Sequence, residues 1–245
     1  MLGCHIGFNQ LMMYLSFWAV LVEATLLHAC DNLPQPSGSV LFCEPFEDAT
    51  SIQDNGGRFG HNGPPDFVDG MFGNGASFTG SRSVCYPLTN NFNRNAGTIE
   101  FWVKPPSKNH VGFVDIGTLG QPNSWGIFKD RDHVIMEVKN SLNHYDQAWS
   151  PAPIDYNGMW HFVAAAWVRE GETTLFKVCW DGNCKASYDG LTMDSFPDLS
   201  GEICIGWSGW YGYAESAFDE LQIYDHARSD AEIEAAFRNA APVCR

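Results

Sequence analysis

Ala217-Phe218-Asp219-Glu220-Leu221-Gln222-Ile223-Tyr224-Asp225, with Ser229-Asp230-Ala231-Glu232-Ile233 close behind, is the stretch that decides the fold of this chain. Phe218, Leu221, Ile223 and Tyr224 make a half-apolar extended run, the pattern of a strand laid against a core. Ser229 with Glu232 three residues later forms a capping box, in which each side chain satisfies the other residue's backbone N–H, in front of Ile233, Ala236 and Phe237. The spacing therefore predicts a strand that feeds a short capped helix. Asp219 and Glu220 are adjacent, so a regular strand points them to opposite faces.

Working outward, residues 40–46, 98–105, 125–128, 133–138, 159–164, 174–180 and 203–206 also read as short strands, with Gly, Pro, Asn or Asp between them. Alternation within 99–104 sets Ile99, Phe101 and Val103 on the core face and Glu100, Trp102 and Lys104 on the other. No fixed-period repeat or coiled-coil pattern occurs, and the helix after Ser229 is the only one the pattern predicts. With 24 Gly, 13 Pro and 14% aromatics in 245 residues, one all-β domain of sandwich size over 40–240 is expected rather than two smaller domains.

Several of these segments resemble, in order, the strands of the laminin-G-like jelly rolls of the concanavalin A-like lectin/glucanase superfamily. Asp69-Gly70-Met71-Phe72-Gly73-Asn74-Gly75-Ala76-Ser77-Phe78 resembles the family's G-x-F-G-x-A-x-x-F strand, and Thr98-Ile99-Glu100-Phe101-Trp102-Val103-Lys104-Pro105 its T-I-x-x-W-V-x-P strand. Trp160-His161-Phe162-Val163-Ala164, the Asp181-Gly182 hairpin and Ile205-Gly206 follow in family order, and the quoted closing segment completes it. The resemblance covers about residues 40–238 and implies a two-sheet antiparallel jelly-roll sandwich with one short C-terminal helix. It also implies a calcium ion where the first strand's end meets the closing strand, with Glu47, Asp54 and Asp219 as ligands and Asp48 as a substitute. Asp48 and Asp54 equally suit plain turn capping.

Residues 1–29 read as a signal peptide and 30–39 as a Pro/Ser/Gly-rich linker: from Leu11 to Ala29 the chain is apolar except for Ser16, Glu23, Thr25 and His28. Leu27-His28-Ala29-Cys30 resembles a lipobox, so either secretion or a lipoprotein anchored to the cell envelope at Cys30 is expected. Export agrees with the six cysteines that remain, an even number suited to disulfides in an oxidising compartment. Cys179 and Cys184 bracket an Asp-Gly turn and are expected to bridge across a hairpin, whereas Cys43, Cys85, Cys204 and Cys244 leave three connectivities open. No C-x-x-C is present to suggest zinc.

A net charge of -15, from 29 acidic against 14 basic residues, repels phosphate and argues against nucleic acid as a partner. Sugars need an exposed aromatic platform beside polar groups, because pyranose C–H faces stack on rings while hydroxyls seek hydrogen bonds. Trp207, Trp210, Tyr211 and Tyr213 interleave with small residues in one loop and supply such a platform, with Trp149 nearby. A non-catalytic carbohydrate- or glycan-binding domain is the expected function. Two alternatives compete with it: a polysaccharide lyase or atypical glycosidase on the same fold, and an adhesion module that binds protein. The closely spaced acids Asp130/Asp132, Glu170/Glu172 and Glu232/Glu234 fall in turns or in the helix, not on the single strand a glucanase requires. His161, beside Trp160, is expected to be a hydrogen-bonded structural histidine.

Overall fold

The computed structural model describes residues 39–107, 109–152, 158–171, 173–184 and 199–240. The expected signal segment, most of the linker, Cys30 and Cys244 lie outside these residues. The chain runs through β1 (Val40–Glu44), α1 (Ala49–Asp54), β2 (Arg58–Phe59), β3 (Asp66–Asp69), β4 (Asn74–Ser77), β5 (Val84–Pro87), β6 (Ala96–Lys104), β7 (His110–Ile116) and β8 (Ser124–Asp130). It continues through β9 (His133–Lys139), β10 (Tyr145–Pro151), β11 (His161–Glu170), β12 (Thr173–Trp180), β13 (Glu202–Ile205), β14 (Trp207–Ser208), β15 (Gly212–Tyr213), β16 (Ala217–Tyr224) and α2 (Asp230–Ala240).

Two seven-stranded antiparallel sheets form a jelly-roll sandwich. The first has the order β12-β11-β6-β16-β4-β3, with β1 also on β16, and the second the order β10-β9-β8-β7-β13-β5-β2. Ile99, Phe101 and Val103 face the core between the sheets, where they meet Trp125, Ile127, Met136 and Phe218, as the alternation predicts. Trp102 faces outward and is covered by α2 through Phe237, with Phe162, Ile233 and Ala236 alongside. The outer face of the first sheet is thus occupied by the C-terminal helix. The expected capping box starts it: Ser229 N donates to Glu232 Oε2 (2.7 Å) and Glu232 N to Ser229 Oγ (3.3 Å).

β16 closes the barrel-like wrap. Its free edge is shared by two partners, β4 at Ala217 and Phe218 and β1 from Leu221 to Tyr224. Between them its register on β6 is broken at Asp219/Gln222, and Glu220 takes a φ of 53°. The simple alternation expected at Asp219 and Glu220 therefore gives way to a bulge, and all eight strand residues are buried. Buried Arg228 ties the exit of this strand to the sheet, pairing with Glu100, lying 4.8 Å over the Tyr224 ring and donating to Glu232 O (3.1 Å).

The Cys179–Cys184 bridge forms as expected, and Cys85–Cys204 joins β5 to β13. Cys43 is disulfide-bonded too. Several elements depart from the sequence expectation, among them the short strands β2, β5, β14 and β15. A six-residue helix, α1, follows β1 because Asp48 accepts from Ser51 N and Ser51 Oγ accepts from Asp48 N, a capping box in a stretch too short to show periodicity. β7 and β10 also form, although polar residues interrupt their apolar pattern. His161 accepts the structural role: its Nδ1 lies 2.9 Å from Asp181 Oδ2 and its ring stacks on Trp180.

Candidate functional site

The aromatic loop forms a hairpin, with Trp207 paired to Tyr213 and Ser208 to Gly212. It rests on the outer face of the second sheet, the face that α2 does not cover, and it divides the expected aromatic platform in two. Trp210 and Tyr211 line one cleft, and Trp207 and Tyr213 line another.

The first cleft encloses about 360 Å³. Its floor is built by strand alternation: Tyr145 and Gln147 share one face of β10, and Lys139 and Glu137 stand opposite them on the matching face of β9. Gln147 Nε2 donates to Glu137 Oε2 (2.6 Å), and Lys139 Nζ donates to Gly120 O (2.6 Å). Trp210 is 67% exposed and Tyr145 63%, so two large rings face solvent at the cleft's edge. Tyr211 is anchored instead: its ring packs on Phe128 (4.9 Å) and stacks on His110 (5.9 Å, 2° between planes). Burial, with the charges of Asp130 and Glu137 nearby, pushes its hydroxyl up to about 12. Trp149 stands two residues beyond Gln147, 40% exposed and edge-on to His133.

Asp115 holds the walls in place. Its carboxylate accepts from Leu119 N (3.0 Å) and from Gly209 N (2.7 Å), so one side chain fixes both the loop after β7 and the hairpin that carries Trp210. Gly120, at φ +85°, lets that loop press against the indole, since a Cβ there would lie 2.6 Å from Trp210. In register, Asp115, Gly126, Glu137 and Gln147 form a row across β7 to β10. Burial raises the carboxyls of both Asp115 and Glu137 above their ordinary values.

The second cleft, about 410 Å³, is lined by Trp207, Tyr213, the Cys85–Cys204 bridge and Arg58, whose guanidinium forks onto Glu202 at 3.1 and 2.6 Å. The Sγ atoms of Cys85 and Cys204 and a carboxylate oxygen of Glu202 lie within 4.8 Å of one another. With the sulfurs joined to each other and Glu202 held by Arg58, the group offers no thiolate and is not a metal centre in the oxidised protein.

The expected cation ligands separate into two pairs. Asp48 caps α1, and Asp54 is exposed in that helix's last turn. Glu47 and Asp219 meet at opposite sides of the loop between β3 and β4. Glu47 Oε2 accepts from Asn74 N (3.0 Å), while Asp219 Oδ2 accepts from Met71 N (2.7 Å) and Phe72 N (2.9 Å). Gly73, at φ +51°, has no room for a side chain, because a Cβ would sit 2.2 Å from Glu47 Oε1. Asp219 Oδ1 is buried with no hydrogen-bond partner. Burial first, then the charge of Glu47, lifts Asp219 to about 8, against the pull of the backbone donors of Phe72, Met71 and Glu220. A buried, unpartnered carboxylate oxygen beside a second carboxylate fits a hard cation with oxygen ligands.

The sequence pointed to the aromatic loop but did not separate its halves, and it missed Glu137, Gln147 and Lys139 as cleft residues. The period-two pattern of Tyr145, Gln147 and Trp149 was the available signal.

Residues 78–234 match a family model described as the concanavalin A-like lectin/glucanases superfamily. The chain belongs to that superfamily. No match to a curated protein is found. Among solved structures, the superfamily chain is similar to the receptor-binding domain of botulinum neurotoxin type G, with a TM-score of 0.60 and 12% identity over 82% of this chain and 51% of that one. It is also similar to domain 4 of AbnA, an extracellular arabinanase of Geobacillus stearothermophilus solved with arabinotriose, with a TM-score of 0.58 and 16% identity over 82% of this chain and 99% of that one. A botulinum neurotoxin type C structure, described by a cell entry that depends on two ganglioside molecules, matches with a TM-score of 0.59 and 11% identity over 82% and 51%. The chain spans about half the length of the neurotoxin chains it matches. At these identities the likeness is one of fold.

Proposed function

We propose that this chain is an exported, non-catalytic carbohydrate-binding domain that takes a glycan in the cleft beneath Trp210, with calcium bound at Glu47 and Asp219. The observation that carries the reading is the pairing of exposed Trp210 and Tyr145 with the Gln147–Glu137 hydrogen bond between them in one cleft. Rings of this kind stack on sugar C–H faces, and the amide and carboxylate offer a donor and an acceptor for neighbouring hydroxyls. One structural neighbour is solved with arabinotriose and another is a neurotoxin whose cell entry depends on two ganglioside molecules, which supports glycan as the ligand class. The disulfides support an oxidising compartment.

Glycoside hydrolysis needs two carboxyl groups flanking the scissile bond. Among the described residues lining this cleft, Glu137 is the one carboxylate. Asp130 lies by His110 and Asp132 by His133, while Glu234 pairs with Arg238 on α2. Calcium would be held by Glu47 and Asp219 and would supply a fixed positive charge that neutralises both acids and pins β16 to the loop before β4. The rival, a polysaccharide-active enzyme, draws on Tyr145 and Lys139 in the same cleft. A polysaccharide panel read for binding, for reducing ends and for unsaturated products separates the two. Binding without product is expected, and turnover above a denatured control overturns the non-catalytic reading.

A further inference from the structure

We infer that the Trp210 cleft selects neutral glycan chains and excludes anionic ones, such as uronate-bearing, sulfated or sialylated chains, and that Glu137 is the residue that sets this selectivity. The inference rests on the reading that the cleft binds glycan at all. Glu137 lines the floor, held through Oε2 by Gln147, and its neighbour across Gly126 in the register is another carboxylate, Asp115. Outside the lining, Asp130 lies close enough for its charge to act with that of Glu137 on the Tyr211 hydroxyl. The opposing cation is Lys139, whose ammonium donates to Gly120 O at the rim. His110 beside Asp130 adds positive charge only when protonated.

A ligand seated between Trp210 and Tyr145 must bring its substituents against Glu137, since that carboxylate and the Gln147 amide are hydrogen-bonded together in the same cleft. A hydroxyl can donate to the carboxylate and accept from the amide. A second carboxylate or a sulfate has no proton to donate and meets a like charge in a half-enclosed space, where solvent screens poorly. Rejection of a charged analogue by a site built to accept hydroxyl protons is the asymmetry that makes hydrogen-bonding sites selective.

Calorimetric titration of the full chain decides this, using neutral arabino-, xylo- and gluco-oligosaccharides beside oligouronates and sulfated oligosaccharides of equal length. At least one neutral chain should bind, and the anionic chains should bind tenfold more weakly or worse. Glu137→Gln, which keeps shape and removes charge, should narrow that gap several-fold, and Gln147→Glu should widen it; melting curves establish that both variants fold. Wild-type binding of an anionic chain as tight as that of the neutral ones, lost in Trp210→Ala, overturns the charge selectivity and leaves glycan binding standing. A gap unchanged in both floor variants overturns the role of Glu137. Failure of every oligosaccharide to bind overturns the parent reading and the selectivity with it.

Discussion

Asp219 shows most plainly how the two oxygens of one carboxylate can meet different fates. Its Oδ2 fastens the loop before β4 through two backbone N–H groups, while its Oδ1 is buried and unpartnered. Leaving a polar atom in that state costs roughly 1–3 kcal/mol, more when it is charged, and the proposed calcium ion would remove the cost. Asp219→Asn should therefore abolish the heat of calcium binding and the rise in melting temperature that calcium gives the parent protein. Equal calcium stabilisation in the variant contradicts the assignment. The structure brings Glu47 and Asp219 to the same loop between β3 and β4, but Asp48 and Asp54 look the same in a one-dimensional reading. Only the helix that Asp48 caps turns those two away to other work.

At the scale of the element, period-two alternation predicted β6 well because Ile99, Phe101 and Val103 are buried on one side without exception. It missed β10, whose outward face carries the large rings of Tyr145 and Trp149 around Gln147, so that apolar residues do not mark the core face alone. A strand with large rings on its outward face is least visible to a reading of burial. β6 also carries Glu100, which burial raises to about 7 despite its pairing with Arg228 beside α2. The native state thus holds this proton more tightly than the unfolded chain does. Its contribution to stability is complete below about pH 4.5 and is lost as pH rises towards 7. The stability of the parent relative to Glu100→Gln should fall across that window and level off above it, a shift on the order of 5 °C in relative melting temperature. A flat difference from pH 4 to 8 contradicts the claim that burial outweighs Arg228 at this carboxyl.

Over the whole molecule, the sandwich has two outer faces with different fates. α2 covers that of the first sheet through Phe237, Ile233 and Ala236, while the β14–β15 hairpin lies on that of the second and leaves a cleft on either side. The architecture was legible because strand order, turn residues and the capped helix all agree. The site was legible only as composition: four aromatics in seven residues announce a surface, but which ring faces which cleft depends on the hairpin's register, where Trp207 pairs with Tyr213 and Trp210 sits at the tip. That division supplies the most direct test of glycan binding in the Trp210 cleft. Titrate a neutral oligosaccharide that binds the parent protein into Trp210→Ala and into Trp207→Ala, each shown to be folded. Affinity reduced about tenfold or more, roughly 1.4 kcal/mol, in Trp210→Ala and unchanged in Trp207→Ala is the expected result; the reverse pattern, or full affinity in both, contradicts it.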